Sequence, residues 1–493
     1  MRSTIFFCCT SLSSVPFLTL YHFSRHPLQQ HAQACCALNT GWPHIGVCFP
    51  SFSIYAGASL VLTKSPAWDL IVSIPFSSMY RTSCSDRRKD DRNFDLFSFS
   101  RASSMVCIYG SLVSTPRFVY TFYGIHCNAE VINVANIYED RRELVLKKME
   151  SEGLDRILIT DPLSIYYLTG TYVQPFERFY ALYLSSKGDS RFFLNRLFNV
   201  DQKDIAETWM SDTDDCIGIL SSYMVGTGVL GVDKNIPARF LLPLMEKHPD
   251  LKMVLASRFV DDTRAVKDSY ERDKMRESSK LNDLCMNHIY FSIREGKTEL
   301  EIAQDILQFY KDHGSEGPSF DPIVSFGANA ADPHHEPDGT QLKEGDCIVI
   351  DIGCKIDGYC SDMTRTWFCR RTDPESLRIH QIVNRAGSFA ESIIKPGVRF
   401  CDIDRAARDI IASEGYGEFF THRLGHSIGL QEHECDDVSE ANTREVVPGN
   451  IFSIEPGIYI PGKAGVRIED LVLVTEDGCE VLNKAYRGYK YTS

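Results

Sequence analysis

The chain has 493 residues, of which 24% are charged and 43% are hydrophobic, and it carries a net charge of −14. This length predicts two or three domains, and the composition is typical of a soluble globular protein. The negative charge argues against nucleic acid or an anionic membrane as the main partner. No uncharged apolar run reaches the ~18 residues of a transmembrane helix. The 17 cysteines are odd in number, which favours free thiols in a reducing, cytoplasmic compartment.

Residues 1–130 differ in composition from everything that follows. They hold eight of the 17 cysteines, and their ten Lys and Arg exceed their six Asp and Glu, whereas the remainder has 42 against 60. Short aromatic and Ser-rich runs broken by Pro show no sustained helix or strand period. An apolar run to Leu20 and an Ala-Gln-Ala triplet at 32–34 are too far apart for a signal peptide. We therefore expect a poorly ordered extension.

Regular patterns begin near residue 131. A helix is predicted over residues 139–152, then a buried strand over 156–160 and an apolar run over 165–168. Three more strands and a helix are predicted at residues 179–184, 191–194, 229–232 and 237–246 respectively. The alternation predicts a small α/β domain over residues 131–265, with no catalytic constellation and with a linker at 261–267.

The C-terminal half, residues 266–493, begins with a long predicted helix. This helix covers residues 269–293, and Thr298 with Glu301 forms a capping box that opens the next one. Two later helices are predicted over residues 374–394 and 401–414. Between the two helix pairs lies a strand or loop at 320–327 that leads to two histidines in a Pro-bounded loop, His334 and His335.

The segment 347–369 has the clearest local pattern. Apolar residues lead into Asp351, and the Asp-Gly pair at 357–358 suits a two-residue type I′ turn, so a β-hairpin is predicted. In that register Gly353 faces Asp362, and Asp351 lies on the same face as Asp362. Gly353 would leave room for a metal ion between the two carboxylates. An ordinary exposed hairpin with two solvated Asp residues is the alternative at this point.

Further titratable residues lie in unusual surroundings near the end of the chain. Three histidines fall among small residues between 421 and 434. They are His422, His426 and His433. Two apolar strands at 451–460 and 465–474 are each interrupted by a carboxylate, Glu455 and Glu469. A carboxylate within an apolar strand is costly unless it is paired or bound to a metal.

Five of these residues would form one site. They are Asp351, Asp362, His426, Glu455 and Glu469. Four carboxylates without cations would repel one another, and their pKa values would rise until some were protonated. Two divalent ions would cancel the charge, and oxygen ligands with one imidazole suit Mn²⁺, Fe²⁺, Co²⁺ or Zn²⁺. A two-metal site of this kind would hold a bridging hydroxide.

The motifs around these residues resemble those of a known family, the pita-bread metallopeptidases. The motifs are Asp351 and Asp362 eleven residues apart, Gly-His-x-Ile-Gly at 425–429, Ile-Glu-Pro-Gly at 454–457 and Arg-Ile-Glu-Asp at 467–470. The family includes Xaa-Pro dipeptidase (prolidase), aminopeptidase P and methionine aminopeptidase, and residues 359–366 and 333–334 look most like the Xaa-Pro branch. The resemblance covers residues 135–493. It implies a creatinase/prolidase-type α/β domain, then an α+β pita-bread catalytic domain.

The resemblance also implies roles for single residues. Asp351, Asp362, His426, Glu455 and Glu469 would bind the two ions, most readily Mn²⁺, and Glu455 would also take a proton from the water between them. His334 and His433 would donate to the scissile carbonyl oxygen or pass a proton to the leaving nitrogen. His422 would shape the proline pocket, and Arg467 would orient the metal ligands.

The expected reaction is hydrolysis of Xaa-Pro bonds by the metal-bridging hydroxide, with proline-containing peptides as substrates and a homodimer as the assembly. Two departures from the family pattern bear on this. Ser427 stands where relatives mostly have Gly, which matters only if the position needs a positive φ. At 435–437 the sequence is Cys-Asp-Asp where some prolidases place an Arg that grips the dipeptide carboxylate, so repulsion is expected.

Three alternatives stay open. An aminopeptidase P-type enzyme would act on longer Xaa-Pro peptides. A metal-free binding protein on the same fold would show eroded ligands, whereas none of the five is eroded. A non-peptide hydrolase or lyase is the third alternative, because the fold hosts such reactions as well.

Overall fold

The structure is a computed structural model that describes residues 134–493 apart from 189, 202–203 and 225–227, with side chains from residue 137 onward. Before residue 134 it describes only the backbone of seven short strands within a unit of its own, Met1–Val131. These strands are β1 (Ile5–Leu12), β2 (Val15–His22), β3 (Val72–Pro75), β4 (Thr82–Cys84), β5 (Phe94–Leu96), β6 (Ser104–Ser111) and β7 (Val119–His126). The poorly ordered extension expected for residues 1–130 falls mostly outside the described residues and stays a prediction.

The second unit, Ile132–Ser493, opens with an α/β layer. Its strands are β8 (Arg156–Ile159), β9 (Ala181–Ser185), β10 (Arg191–Asn195), β11 (Ala206–Met210), β12 (Gly228–Val232) and β13 (Leu251–Leu255). Its helices are α1 (Val134–Ser151), α2 (Pro162–Thr169), α3 (Cys216–Tyr223), α4 (Ala238–Lys247) and α5 (Arg258–Arg264). The strands form one mixed sheet in the order β11-β10-β9-β8-β12-β13. The predicted alternation of strands and helices is confirmed, although β11 and β13 were not among the predicted strands.

The structure assigns a helix to one apolar run in this layer and corrects one local prediction. The apolar run at 165–168 belongs to helix α2, which Asp161 caps by accepting a hydrogen bond from Ser164 N at 2.8 Å and which Gly170 ends at φ 72°. The linker predicted at 261–267 is wrong for its first four residues, because they form the second half of α5. Phe259 and Val260 are buried against the core, so packing determines the conformation of this charged segment.

The remainder of the unit carries longer helices and several small sheets. The helices are α6 (Ser269–Ser292), α7 (Glu299–Asp312), α8 (Pro374–Ile393) and α9 (Phe400–Ser413), with 3₁₀ turns at Gly327–Ala331 and Gly417–Phe419. The strands are β14 (Ile323–Phe326), β15 (Cys347–Ile352), β16 (Lys355–Ile356), β17 (Tyr359–Cys360), β18 (Met363–Cys369), β19 (Gly425–His426), β20 (Asp437–Val438), β21 (Ile451–Ile454), β22 (Gly457–Ile460), β23 (Ala464–Arg467), β24 (Asp470–Val474), β25 (Cys479–Val481) and β26 (Tyr491–Thr492). Strands β14, β15, β18 and β26 form one sheet, and strands β21, β24 and β25 form another. The pairs β16-β17, β19-β20 and β22-β23 each form a two-stranded sheet. All four predicted helices are present, and the capping box of Thr298 and Glu301 is formed.

The central hairpin has the predicted register and turn. Asp357 and Gly358 both have positive φ, 49° and 81°, as a type I′ turn requires. The register continues into the paired strands β15 and β18. The role predicted for Gly353 is wrong, however. A Cβ there would lie 2.1 Å from Ser361 O, so the glycine permits close backbone contact and does not make room for an ion.

One apolar core joins the α/β layer to the C-terminal half of the chain. It contains α1 and α2 residues such as Met149 and Leu168 together with Tyr359 and Ile428 from the second half. The nine described cysteines are free, and burial raises the thiol pKa of most of them. None of the described helices is long and apolar enough to cross a membrane.

Candidate metal centre

The hairpin brings two buried carboxylates to one face. Asp351 on β15 lies directly opposite Thr364 on β18, and Asp362 stands two residues before Thr364, on the same side of the strand. Their side chains are almost fully buried, with residue exposures of 7% and 4%. Thr364 also donates its hydroxyl hydrogen to Glu469 Oε2 at 2.7 Å. One threonine therefore connects the hairpin to the third carboxylate.

The last two carboxylates occupy breaks between strands. Glu455 follows β21 and precedes β22, while Glu469 follows β23 and precedes β24. Strand β21 pairs with β24, and β22 pairs with β23, each antiparallel. Both breaks are therefore held side by side, with Glu469 only 1% exposed. The predicted interruption of two apolar strands by acidic residues is confirmed, since each residue lies at a break between strands.

His426 reaches the carboxylates from β19. A Cβ on Gly425 would meet Ser453 O at 2.0 Å, so only glycine allows β19 to approach β21 this closely. Ser453 Oγ accepts from His426 N at 3.0 Å and donates to Glu455 Oε1 at 3.2 Å. His426 Nε2 then lies 3.5 Å from Glu455 Oε1 and 3.6 Å from Asp362 Oδ2. All five predicted ligands therefore converge on one place.

Burial and mutual repulsion dominate the electrostatics of this cluster. Burial raises the pKa values of Asp362 and Glu469 well above their usual ranges, and the neighbouring carboxylates raise them further. Burial likewise raises the pKa of Glu455 to about 7. The His426 pKa falls to about 3, chiefly through burial. Without cations, burial and repulsion thus oppose ionisation of these carboxyls. Burial also favours the neutral form of the His426 imidazole, which is the form that binds a metal ion.

Hydrogen bonding leaves this cluster incomplete. Asp351 Oδ1, Asp362 Oδ1 and Glu469 Oε1 are buried without a hydrogen-bond partner among the described residues. Buried oxygens of this kind are costly unless a donor or a cation satisfies them. Ligand atoms of Asp362, His426 and Glu469 all lie within 4.8 Å of one another. The donor set therefore fits hard or borderline divalent ions.

Arg467 orients the cluster from behind. Its guanidinium is 3% exposed and donates to Asp351 Oδ2 at 2.6 Å, to Thr364 Oγ1 at 3.0 Å and to Tyr459 Oη at 2.9 Å. It also donates to Pro333 O at 3.2 Å. Because the guanidinium is rigid and planar, its four hydrogen bonds fix the positions of the four acceptor atoms. The expected orienting role of Arg467 thus has a structural basis in these contacts.

His422 is held neutral in one tautomer. Its Nδ1 lies 2.6 Å from Arg423 O, which can only accept, so Nδ1 carries the proton. Its Nε2 then accepts from Tyr459 Oη at 2.9 Å. Burial lowers the His422 pKa to about 4. With both nitrogens occupied, the ring can present only its face and edge to a ligand.

The other two histidines lie at the open side of the cluster. The His433 ring is 4.0 Å from the His426 ring, centroid to centroid, and burial lowers the His433 pKa. Its Nδ1 is 3.3 Å from Arg423 Nη2, which can only donate, so the proton of neutral His433 is on Nε2. His334 is exposed and lies close enough to His422 and to His433 to interact electrostatically with both. His334 is therefore near each of the other two predicted outer histidines.

The residues predicted to repel a substrate carboxylate have partners of their own. Asp436, at φ 85°, pairs with Arg444 at 3.1 Å, and Asp437 pairs with Arg423 at 2.5 Å. These counter-ions reduce the negative charge that a substrate carboxylate would meet, and the predicted repulsion stays a prediction. Ser427 does not have positive φ, so its replacement of glycine causes no backbone strain.

The sequence analysis missed several residues that support the site. They are Thr364, Arg423, Ser453 and Tyr459. Thr364 could have been found, because period-two alternation places it on the same face as Asp362. The bond from Tyr459 to His422 spans 37 residues and joins separate strands, so no local pattern predicts it.

Comparisons with known proteins agree with this arrangement. Residues 273–476 match the family described as Metallopeptidase family M24, and residues 141–266 match the Creatinase/Prolidase N-terminal domain. An uncharacterised peptidase of Staphylococcus saprophyticus is 36% identical over 71% of this chain and 99% of its own length. A dipeptidase from Pyrococcus horikoshii OT3 matches at 33% identity with a TM-score of 0.68, covering 71% of this chain and 99% of that one. A recombinant prolidase from Thermococcus sibiricus matches at 30% identity with a TM-score of 0.67, covering 72% and 99%.

Proposed function

Since the chain belongs to metallopeptidase family M24, we propose that it hydrolyses Xaa-Pro peptide bonds with two divalent ions, Mn²⁺ before others. Family membership makes it a metallopeptidase with a creatinase/prolidase N-terminal domain and a pita-bread catalytic domain, as the sequence predicted. The family is dinuclear and metal-dependent. The observation that carries the proposal is the buried cluster around His426, in which three carboxylate oxygens have no hydrogen-bond partner within the described part of the chain.

Five side chains would bind the two ions. They are those of Asp351, Asp362, His426, Glu455 and Glu469. When bound, such ions cancel the charge of the carboxylates, polarise the scissile carbonyl and supply a nucleophile at neutral pH. The protein's contribution is to fix the ligands before substrate arrives, and Arg467 and Thr364 do so through the contacts described above.

Glu455 would transfer the proton in the reaction. Its Oε1 is held by the Ser453 hydroxyl at 3.2 Å and lies 3.5 Å from the His426 imidazole, so the carboxylate has a fixed orientation at the edge of the cluster. It is also the most accessible ligand, with a side-chain exposure of 15%. Glu455 would take a proton from water and return it to the leaving nitrogen of proline.

The outer histidines would recognise the bond to be cleaved. His433 has its proton on Nε2 and can donate to the carbonyl oxygen as negative charge develops there, and exposed His334 can do the same. A bond before proline lacks the N–H that other peptidases hydrogen-bond, so the ring itself must be recognised. His422, with both nitrogens occupied, offers an apolar ring face for this purpose. One of the structural relatives is named a prolidase, which supports the same assignment.

A second candidate is an aminopeptidase that acts on longer Xaa-Pro peptides. A dipeptidase needs a cation for the free carboxylate of proline. Arg423 is the cation beside His433, and its guanidinium is already paired with Asp437 at 2.5 Å. Longer substrates would not place a carboxylate there, so this pairing favours them. By family resemblance we also propose a homodimer.

The test is hydrolysis of a peptide panel by the full chain. Xaa-Pro dipeptides, Xaa-Pro-Yaa tripeptides and non-Pro controls would be incubated with chelator-treated protein, with and without added Mn²⁺ or Co²⁺. We expect metal-dependent cleavage confined to Xaa-Pro bonds, and the ratio of dipeptide to tripeptide cleavage separates the two candidates. No cleavage of any peptide despite bound metal would overturn the proposal and favour a non-peptide hydrolase or lyase.

A further inference from the structure

A second buried carboxylate site lies behind the loop that carries His334. Glu299, the first residue of α7, is fully buried. Its Oε1 accepts hydrogen bonds from Phe326 N at 2.7 Å and Asn329 Nδ2 at 3.1 Å. Its Oε2 accepts from His335 Nε2 at 2.7 Å and Asp338 N at 3.1 Å. A single carboxylate thus connects the end of β14, the following 3₁₀ turn and the histidine loop.

This group is not a further metal site. Glu299, His335 and Asp338 lie close enough to hold an ion. However, both oxygens of Glu299 already accept two N–H donors each, and Asp338 Oδ1 accepts from Thr340 N at 2.7 Å. A cation would have to displace these donors. The helix N-terminus adds a favourable field for the buried negative charge, so the protein satisfies Glu299 by itself.

The same loop is held from the opposite side by the metal centre. Arg467, which contacts Asp351, donates to Pro333 O at 3.2 Å. The next two residues then diverge. His334 is exposed and near His422 and His433, whereas His335 turns inward with a side-chain exposure of 16%. His334 thus stands between two anchors, Pro333 on Arg467 and His335 on Glu299.

We propose that Glu299 and His335 are positioning residues that set the place of His334 over the scissile bond. This inference rests on the proposed function, in which His334 donates to the substrate carbonyl. The His334 imidazole makes no hydrogen bond to the described residues, so its position depends on the backbone of its loop. The charge-assisted bond between His335 and buried Glu299 supplies that restraint, because a buried carboxylate that accepts four donors resists movement.

The experiment is a double-mutant cycle in the full-length, Mn²⁺-loaded protein. His335→Ala removes the anchor, and we expect kcat to fall about 10- to 100-fold with bound metal unchanged, because a shift of about 1 Å costs that much. His335→Gln can still donate a hydrogen bond to Glu299 and should restore most of kcat. It also allows the anchor to be tested if His335→Ala fails to fold. His313→Ala is the matched control, since this exposed histidine directly after α7 stacks on Phe309, at the opposite end of the helix from Glu299.

The decisive comparison uses His334→Ala. If His335 acts through His334, adding His335→Ala to His334→Ala lowers kcat by less than about twofold. Losses that multiply in full, or a wild-type kcat in His335→Ala, would overturn the inference. Amide exchange gives a readout that needs no activity: residues 332–338 should exchange faster in His335→Ala, and unchanged exchange would also overturn it. If the wild-type enzyme cleaves no Xaa-Pro peptide, the proposed function fails, while exchange still reports whether the anchor exists.

Discussion

Two sets of buried carboxylates in the catalytic half have opposite electrostatic surroundings. The ligand cluster consists of Asp351, Asp362, Glu455 and Glu469. Burial and mutual repulsion raise the pKa values of three of its members, and three of its oxygens have no hydrogen-bond partner in the region that the structure describes. Glu434 is equally buried, yet its pKa is lowered to about 2, because Arg264 and Lys267 pair with it at 2.5 and 3.2 Å and outweigh the cost of its burial.

The difference shows which buried carboxylates have their charge balanced by Arg and Lys side chains of the protein itself. Arg264 ends helix α5, so its bond to Glu434 ties the N-terminal domain to the loop that carries His433. That ion pair is structural and complete. Among the described residues, Arg467 is the buried guanidinium that pairs with a side chain of the ligand cluster, which holds four carboxylates. Divalent ions would balance the charge of the ligand cluster, as proposed above, whereas Glu434 makes a structural contact that needs no ion.

The largest effect should follow the loss of a ligand. Asp362→Asn removes one charge and one ligand from the cluster, and we expect kcat/KM to fall by at least about 10³-fold, as loss of several kcal/mol of metal catalysis implies. Peptide hydrolysis with saturating Mn²⁺ measures it. The control is Asp409→Asn, an exposed aspartate on α9, which should keep wild-type activity. Activity of Asp362→Asn within tenfold of wild type would contradict the assignment.

The second effect is a difference in the free energy of unfolding between two Glu→Gln variants. Glu434→Gln leaves Arg264 and Lys267 buried without their counter-ion, and we expect the free energy of unfolding to fall by about 3–5 kcal/mol. Glu469→Gln in metal-free protein removes a repelling charge, so it should leave that free energy unchanged or raise it. Urea unfolding with chelator at pH 8 measures both. Equal destabilisation by the two changes would mean that the ligand cluster is not repulsive.

The third effect is the pH dependence of the metal-free protein. The carboxyls of Asp362, Glu455 and Glu469 hold protons in the folded state at pH values where the unfolded chain has lost them. Each stabilises folding fully below its unfolded pKa, and this stabilisation is lost as pH rises through the folded value. His426 has the opposite sign, but its contribution is complete above about pH 7.

We therefore expect Tm of the metal-free protein to fall between about pH 6 and 8, as pH rises through the folded pKa of Glu455, about 7. Added Mn²⁺ should raise Tm more at the higher pH, because the ions replace the protons. Differential scanning calorimetry across this range measures both trends. A metal-free Tm that rises with pH would contradict the account.

The smallest effect concerns substrate length. Asp437→Asn releases Arg423 from a partly exposed ion pair, and such a pair is worth up to about 1 kcal/mol. The freed guanidinium can attract a proline carboxylate, so the ratio of dipeptide to tripeptide cleavage should rise by up to about fivefold. Asp436→Asn is the matched control, because Asp436 pairs with Arg444 instead. A ratio that changes equally in both variants would exclude Arg423 as the cause.

Local patterns in the sequence predicted much of this site. The Asp-Gly turn at 357–358 determines the hairpin register, and that register places Asp351 and Asp362 on one face. The interrupted strands at Glu455 and Glu469 were visible as breaks in apolar runs. In each case the signal lies within about a dozen residues, the range over which strand alternation and turn chemistry operate.

Contacts between distant segments could not be predicted from the sequence in the same way. The bond from Arg467 to Asp351 spans 116 residues, and the bond from Arg264 to Glu434 spans 170. The charged segment of α5 resembled a linker until its packing showed a helix. Gly353 was predicted to leave room for an ion, and only the backbone of Ser361, which a Cβ at Gly353 would meet at 2.1 Å, shows its role in close packing. Tertiary packing determines these features, so the sequence alone left them open.

The most direct test of the account is the number of ions that the ligand cluster binds. Native mass spectrometry of the full chain, stripped with chelator and titrated with Mn²⁺, would count them, and the same titration of Glu434→Gln and Asp362→Asn would locate them. The account predicts about two ions per chain in wild type and in Glu434→Gln, and fewer in Asp362→Asn. No bound ion in wild type, or an unchanged number in Asp362→Asn, would contradict it.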